Sequence, residues 1–201
     1  MKTAVLMATG AVGLLALTVA DAAYRVRDWG AADSEVAASL PGDELVPRPA
    51  DVQTLAVGVS APASVVWQEL LLFVAPSPDG SAVEPVPGDV VRHLSGPRHG
   101  FAEGPLEVVS VVPGRSLVLV PVGPGAGDVR GFHVVPGVSG RCRLLCRRRL
   151  APGGFGRVVT HAVEPVAVVL TRLLMLKVAE RAEIAARGGE GQPSARDAAS
   201  R

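Results

Sequence analysis

Residues 106–150 read LEVVSVVPGRSLVLVPVGPGAGDVRGFHVVPGVSGRCRLLCRRRL, a run of apolar segments separated by glycine-containing turns. Short glycine-containing turn sequences interrupt it at residues 113–115, 123–127 and 137–140. Connections this short join neighbouring antiparallel strands. We therefore expect four consecutive antiparallel strands, at residues 106–112, 116–122, 129–136 and 141–150.

The last of these strands carries the clearest alternation. One parity holds Arg141, Arg143 and Arg147, and the other holds Cys142, Leu144 and Cys146. Since successive side chains of a strand point to opposite faces, we expect one solvated and one buried face. We interpret the arginine cluster of this strand as a solvated sheet face, and the alternative is attraction to anionic lipid headgroups. The cluster comprises Arg141, Arg143, Arg147, Arg148 and Arg149.

The two cysteines of the chain are expected to be free thiols in the core. Four residues along a strand separate Cys142 from Cys146 by about 13 Å, whereas a disulfide needs Cα atoms within about 7 Å. Two thiols without further ligands do not make a metal site either. On the preceding strand, His133 alternates with Phe132 and Val134, so we expect it to point outward.

The flanking sequence supplies the other elements. Residues 52–60 alternate as a strand, residues 63–73 have helical apolar spacing, and residues 89–94 form a further strand. A wide apolar stripe predicts a helix over 158–187, which Pro165 splits or starts. This helix is the element large enough to cover the apolar face of the sheet. The fold class is therefore α+β, a curved antiparallel sheet of about six strands wrapped on a long C-terminal helix.

An N-terminal membrane segment precedes this domain. Residues 3–20, TAVLMATGAVGLLALTVA, carry no charge. As a helix they span roughly 27 Å, close to the hydrocarbon thickness of a bilayer. A cleaved secretory signal is the alternative, since Ala20-Asp21-Ala22 fits a cleavage site. We expect a single-pass anchor in the cell membrane, with the globular domain in the cytoplasm.

The predicted organisation has four parts. Residues 1–23 are the transmembrane anchor or signal, and residues 24–50 are a polar juxtamembrane linker. The globular domain covers residues 51–187, and residues 188–201 form a disordered tail.

Composition excludes several classes of function. The formal net charge is +1 and aromatic residues make up 3% of the chain, so we expect no nucleic-acid partner. The sequence has no Ser-His-Asp order, HExxH motif or phosphate-binding glycine loop. We predict no catalytic residue, no metal and no cofactor.

The element order resembles the START/Bet v 1-like superfamily (SRPBCC, polyketide cyclase/dehydrase-like), and more closely a bacterial subgroup of it with an N-terminal membrane helix. The resemblance covers about residues 29–185. It is carried by Trp29-Gly30-Ala31, Glu35-Val36, LPGDELVP at 40–47, Ala61-Pro62, Val66-Trp67, GDVV at 88–91, PGRSLVL at 113–119, Phe132, Val134, Pro136, Arg143-Leu144-Leu145 and Arg147.

The resemblance implies a helix-grip fold, in which the sheet wraps the long helix around an apolar cavity. It also implies that a hydrophobic small molecule or lipid binds there without being transformed. The expected cavity wall consists of Trp67, Leu71, Val91, His93, Phe101, Val118, Phe132, Val134, Leu144, Leu174 and Val178.

Two other functions stay open. The first is a polyketide cyclase or aromatase, in which an inward-facing His93 acts with a polar partner. The second is a scaffold or interaction domain with a filled core. The second is favoured by Phe73 leading straight into Ala75-Pro76, where members of the subgroup have a glycine- and aromatic-rich stretch at the cavity mouth.

Overall fold

The computed structural model describes residues 27–74, 81–91, 105–122, 127–152 and 157–190, with side chains from 168 to 188 in the last helix. The fold is α+β. Its helices are α1 (Asp33–Ala37), α2 (Ala63–Val74) and α3 (Arg157–Glu190), and a single 3-10 turn covers Asp43–Leu45. Its strands are β1 (Asp51–Val59), β2 (Val90–Val91), β3 (Leu106–Val112), β4 (Ser116–Pro121), β5 (Val129–Pro136) and β6 (Cys142–Leu150).

The six strands form one antiparallel sheet in the order β1-β6-β5-β4-β3-β2. The three predicted hairpins join β3 to β4, β4 to β5 and β5 to β6. The first strand pairs with the last over nine residues, from Asp51 opposite Leu150 to Val59 opposite Cys142. The prediction of about six antiparallel strands with a long C-terminal helix is confirmed.

Helices α2 and α3 pack on one face of the sheet, which we call the concave face. The main hydrophobic core lies between them and includes Leu70 of α2, Leu144 of β6 and Met175 of α3. Full burial of one such side chain contributes about 1.5–3 kcal/mol relative to exposure. Both cysteines are free and buried in this core, as expected.

Helix α3 runs without interruption through Pro165. The expectation that Pro165 splits or starts this helix is wrong. A proline removes one N–H donor from the ladder, and the bonds on either side still hold a helix of 34 residues. The helix also continues to Glu190, beyond the predicted start of the tail.

The opposite face of the sheet, here the outer face, is covered by residues 27–50. The segment begins beside the β1 edge, where the backbone N–H groups of Thr54 and Ala56 donate to the carbonyls of Arg27 and Trp29, 3.0 and 3.2 Å away. A smaller apolar cluster of Val46, Val118 and Val129 lies beneath this segment. The predicted solvated face is therefore wrong, because residues 27–50 pack on the sheet rather than linking it freely to the N-terminus.

The predicted membrane segment, residues 3–20, lies outside the described residues. So does the predicted tail from residue 191 onward. Within the described ranges, none of the helices is both long enough and apolar enough to cross a membrane.

Candidate functional site

The concave face gathers most of the predicted cavity wall. Seven of the predicted residues are buried in the main core, and Leu174 is half-buried against it. The seven are Trp67, Leu71, Val91, Phe132, Val134, Leu144 and Val178. His93 and Phe101 lie outside the described residues. The alternation of the strands and the spacing of the helices therefore bring these apolar side chains together.

Val118 lies on the other side of the sheet. Its neighbours on β4, Leu117 and Leu119, belong to the core on the concave face, so alternation turns Val118 to the outer face. There it packs with Val46 and Val129. Its predicted place in the cavity wall is wrong, because Leu117 and Leu119 are the residues of β4 that face the concave side.

Polar side chains meet the apolar interior at one end of the concave face. Gln53 and Arg130 are both buried. Arg148, which has the same parity as Cys146, forms an ion pair with Asp128 at 3.2 Å. A small cavity of about 10 Å³ lies among these groups and is lined by Gln53, Leu55, Arg130, Cys146, Arg148, Val168 and Thr171. This volume is enough for roughly one water molecule.

This polar end is not among the sites predicted from the sequence. Arg148 was grouped with its arginine neighbours, although its parity on β6 places it with Cys142, Leu144 and Cys146. The strict alternation of β6 was the signal that could have found it. Gln53 and Arg130 belong to no sequence motif. They lie close together because β1 and β5 both pair with β6.

A second, larger cleft is separate from this small cavity. It has a volume of about 480 Å³ and opens at the end of β1 and β6, and its lining includes Ser60, Val138, Arg141, Cys142 and Arg143. Burial raises the pKa of the Cys142 thiol, which disfavours a nucleophilic thiolate. Within the described ranges, no group of three or more His, Cys, Asp or Glu side chains could hold a metal.

Arg147 organises the outer face. Its guanidinium donates to the carbonyls of Ala38, Glu35 and Val36 at 2.6, 2.7 and 2.8 Å, and it reaches the Asp43 carboxylate at 3.0 Å. Arg149 also pairs with Asp43, at 3.3 Å. The arginines at these positions are therefore bound by the chain itself, which contradicts both a solvated face and a free basic patch.

Arg143 extends this contact to α1. It donates to both Glu35 carboxylate oxygens at 2.7 and 2.6 Å, and to the Gly30 carbonyl at 2.7 Å. The hydrogen bond from Arg143 lowers the pKa of Glu35, and the same bond raises the pKa of Arg143. Glu35 also accepts a bond from the Ala32 backbone N–H, so one carboxylate both starts the helix and binds the sheet.

A serine and a histidine pair on the outer face. Ser116 Oγ lies 3.1 Å from His133 Nδ1, and both residues are buried. Burial, and next the Arg147 charge, lower the pKa of His133 to about 4 against an opposing effect of Asp43. His133 does face outward, as predicted, but residues of the 27–50 segment cover it. A nucleophile and base enclosed in this way are structural.

Comparisons with solved structures return proteins of low sequence identity. The Aha1 dimer of Colwellia psychrerythraea is 14% identical, with a TM-score of 0.43 over 67% of this chain and 97% of that one. A Thermobifida fusca protein is 17% identical, with a TM-score of 0.45 over 65% and 94%. The Polyketide_cyc-like protein of Corynebacterium glutamicum is 16% identical, with a TM-score of 0.43 over 64% and 88%. No protein-family model matches the sequence, and no curated protein matches it.

Proposed function

We propose that this chain is a member of the START/Bet v 1-like superfamily that binds a hydrophobic small molecule or lipid between its sheet and α3. The observation that carries the proposal is the polar end of the concave face. A guanidinium or an amide is rarely found in an apolar interior, so a group of them at one end of the core is a feature that a binding site would use. Gln53, Arg130 and Arg148 would orient the polar end of a ligand whose apolar part lies along the core.

The small volume of the cavity bears on the same proposal. About 10 Å³ cannot hold a ligand of lipid size, so α3 must shift from the sheet for the ligand to enter. Thr171 and Val168, on the α3 side of the cavity, would move with the helix. If α3 never shifts from the sheet, the core stays filled and the alternative function, a scaffold or interaction domain, applies.

We further propose that residues 3–20 anchor the domain in a membrane. The support is the uncharged stretch itself and its length. An anchor would hold the binding site beside a source of apolar ligand. The proposed location is the cell membrane, with the globular domain in the cytoplasm.

The binding proposal is tested by a substitution at the α3 side of the cavity. Thr171→Trp should occupy the space that opens for the ligand when α3 shifts, whereas Ile184→Trp changes an exposed position on the same helix and serves as the control. The probe is the apolar fluorescent anion anilinonaphthalenesulfonate, titrated onto the full chain in detergent.

We expect saturable binding to the unmodified chain and to Ile184→Trp. We expect binding at least about tenfold weaker for Thr171→Trp, a loss of about 1.4 kcal/mol. Equal affinities of the two variants would mean that the probe does not bind between the sheet and α3. No saturable binding to any of the three chains would support the filled scaffold.

A further inference from the structure

An apolar stripe on α3 is exposed on the side of the domain where β1 ends the sheet. Val169, Leu173 and Leu176 are spaced four and three residues apart, so they share one face of the helix, and Leu173 is 55% exposed. Glu180, which binds Lys177 at 2.7 Å, ends the stripe one turn later. A monomeric domain seldom leaves neighbouring large apolar side chains exposed without a use.

Arg172 connects this stripe to the start of the folded chain. It lies three residues after Val169 and four before Leu176, and its guanidinium donates to the carbonyls of Trp29 and Ala56 at 3.0 and 3.2 Å. It also stacks over the Trp29 ring at 4.3 Å from the ring centre. The exposed indole of Trp29 and the stripe are therefore neighbours at the same edge of the molecule.

The position of the uncharged segment indicates what covers this edge. Arg27 is held on β1 by an ion pair with Asp51 at 2.9 Å and by the Thr54 N–H bond. Seven Cα steps separate Ala20, the last residue of the uncharged run, from Arg27, which is about 25 Å when fully extended. If residues 3–20 cross a bilayer, the β1 edge must lie close to its surface.

We infer that Trp29, Val169, Leu173 and Leu176 form a membrane-contact face that rests in the interfacial region of the bilayer. Tryptophan and arginine favour this region, and apolar helix faces enter it by several ångströms. The tether raises the local concentration of lipid, so three apolar side chains and one indole are sufficient to hold this face against the bilayer. This inference rests on the proposed anchor and adds the orientation of the domain.

Quenching by brominated lipids tests the inference on the full chain. The chain has two tryptophans, so a double variant with Trp29→Phe and Trp67→Phe has no native tryptophan emission. Leu173→Trp in this background reports on the stripe. Val90→Trp is the control, since Val90 is 45% exposed and lies on β2, the strand at the other edge of the sheet.

We expect the emission of Leu173→Trp to fall by about half in vesicles with brominated acyl chains, and that of Val90→Trp to stay unchanged. Trp29 itself, in a chain carrying Trp67→Phe, should be quenched like residue 173. Vesicle flotation reports separately on the anchor, because a chain that does not float with lipid refutes the tether itself. A chain that floats while residue 173 is unquenched, or is quenched equally with residue 90, overturns the membrane-contact face alone.

Discussion

Arg147 is only 4% exposed, and its guanidinium holds three carbonyls and a carboxylate of the 27–50 segment. A buried charge is tolerated when its hydrogen bonds are made inside the protein. Arg147 is therefore the most buried of the arginines that hold residues 27–50 on the outer face of the sheet.

Replacing Arg147 with methionine should be strongly destabilising. Arg147→Met keeps most of the volume but leaves the carbonyls of Glu35, Val36 and Ala38 without their donors. We expect the free energy of unfolding, measured by urea denaturation, to fall by about 3 kcal/mol. Arg141→Met, at an exposed position just before β6 begins, should change it by less than about 0.5 kcal/mol. Equal stabilities of the two variants would mean that Arg147 does not hold the segment.

His133 should make stability depend on pH. Its pKa is lowered to about 4 in the folded chain, mainly by burial, from an ordinary value of 6.5. Between these values the unfolded chain binds the proton and the folded chain does not, so stability is complete above pH 6.5 and falls as pH drops toward 4. The loss amounts to about 3 kcal/mol.

His133→Asn removes this titration while leaving every other group in place. Urea denaturation at several pH values should show the unmodified chain losing stability relative to the variant between pH 6.5 and 4. Profiles that stay parallel across this window would contradict a buried neutral histidine at position 133.

At the scale of elements, the turn at Gly42 sets how closely residues 27–50 approach the sheet. Gly42 has φ +94°, and a Cβ there would lie 2.7 Å from a Val118 methyl group. Gly114, in the β3–β4 turn, has φ +70° with nothing within 4 Å of such a Cβ. Comparing an alanine at position 42 with an alanine at position 114 therefore separates the cost of the left-handed backbone from the cost of the contact with Val118.

Gly114→Ala should lower the free energy of unfolding by about 1 kcal/mol, the cost of a left-handed alanine. Gly42→Ala should lower it by roughly 2–3 kcal/mol, because the Val118 contact adds to that cost. Thermal or urea unfolding of the two variants measures the difference. Identical losses would show that the segment does not pack on β4 as described.

The elements predictable from sequence are those set by local pattern. Strands β3 and β5 have the predicted bounds, because glycine turns and alternation specify a hairpin without help from distant residues. Helix α3 was predictable from its apolar stripe, but its continuity through Pro165 was not. A proline removes one N–H donor from the helix, and the hydrogen bonds on either side still hold the helix together.

The candidate site was less predictable, because parts of it depend on contacts between segments that are distant in the sequence. Most of the apolar wall follows from periodicity, whereas Val118 lies on the outer face because a shift of one residue along a strand turns a side chain to the other face. The binding of Arg147 by residues 35–43 joins segments more than 100 positions apart. No local pattern in either segment indicates that contact.

At the scale of the whole molecule, the sheet has two covered faces with different roles. Helices α2 and α3 cover the concave face, where apolar residues meet the polar end formed by Gln53, Arg130 and Arg148. Residues 27–50 cover the outer face and bring the N-terminal side of the chain to the β1 edge. Helices α2 and α3 form one side of the proposed binding site. Residues 27–50 fix the position of the domain relative to the proposed anchor.

Native mass spectrometry of the full chain tests whether a ligand binds on the concave face. The chain is purified in detergent after exposure to membrane extract and measured before and after denaturation. We predict an added mass that denaturation releases as one lipid or other apolar molecule, and that Thr171→Trp retains far less of it than Ile184→Trp does. A mass equal to that of the bare chain under every condition would contradict the claim.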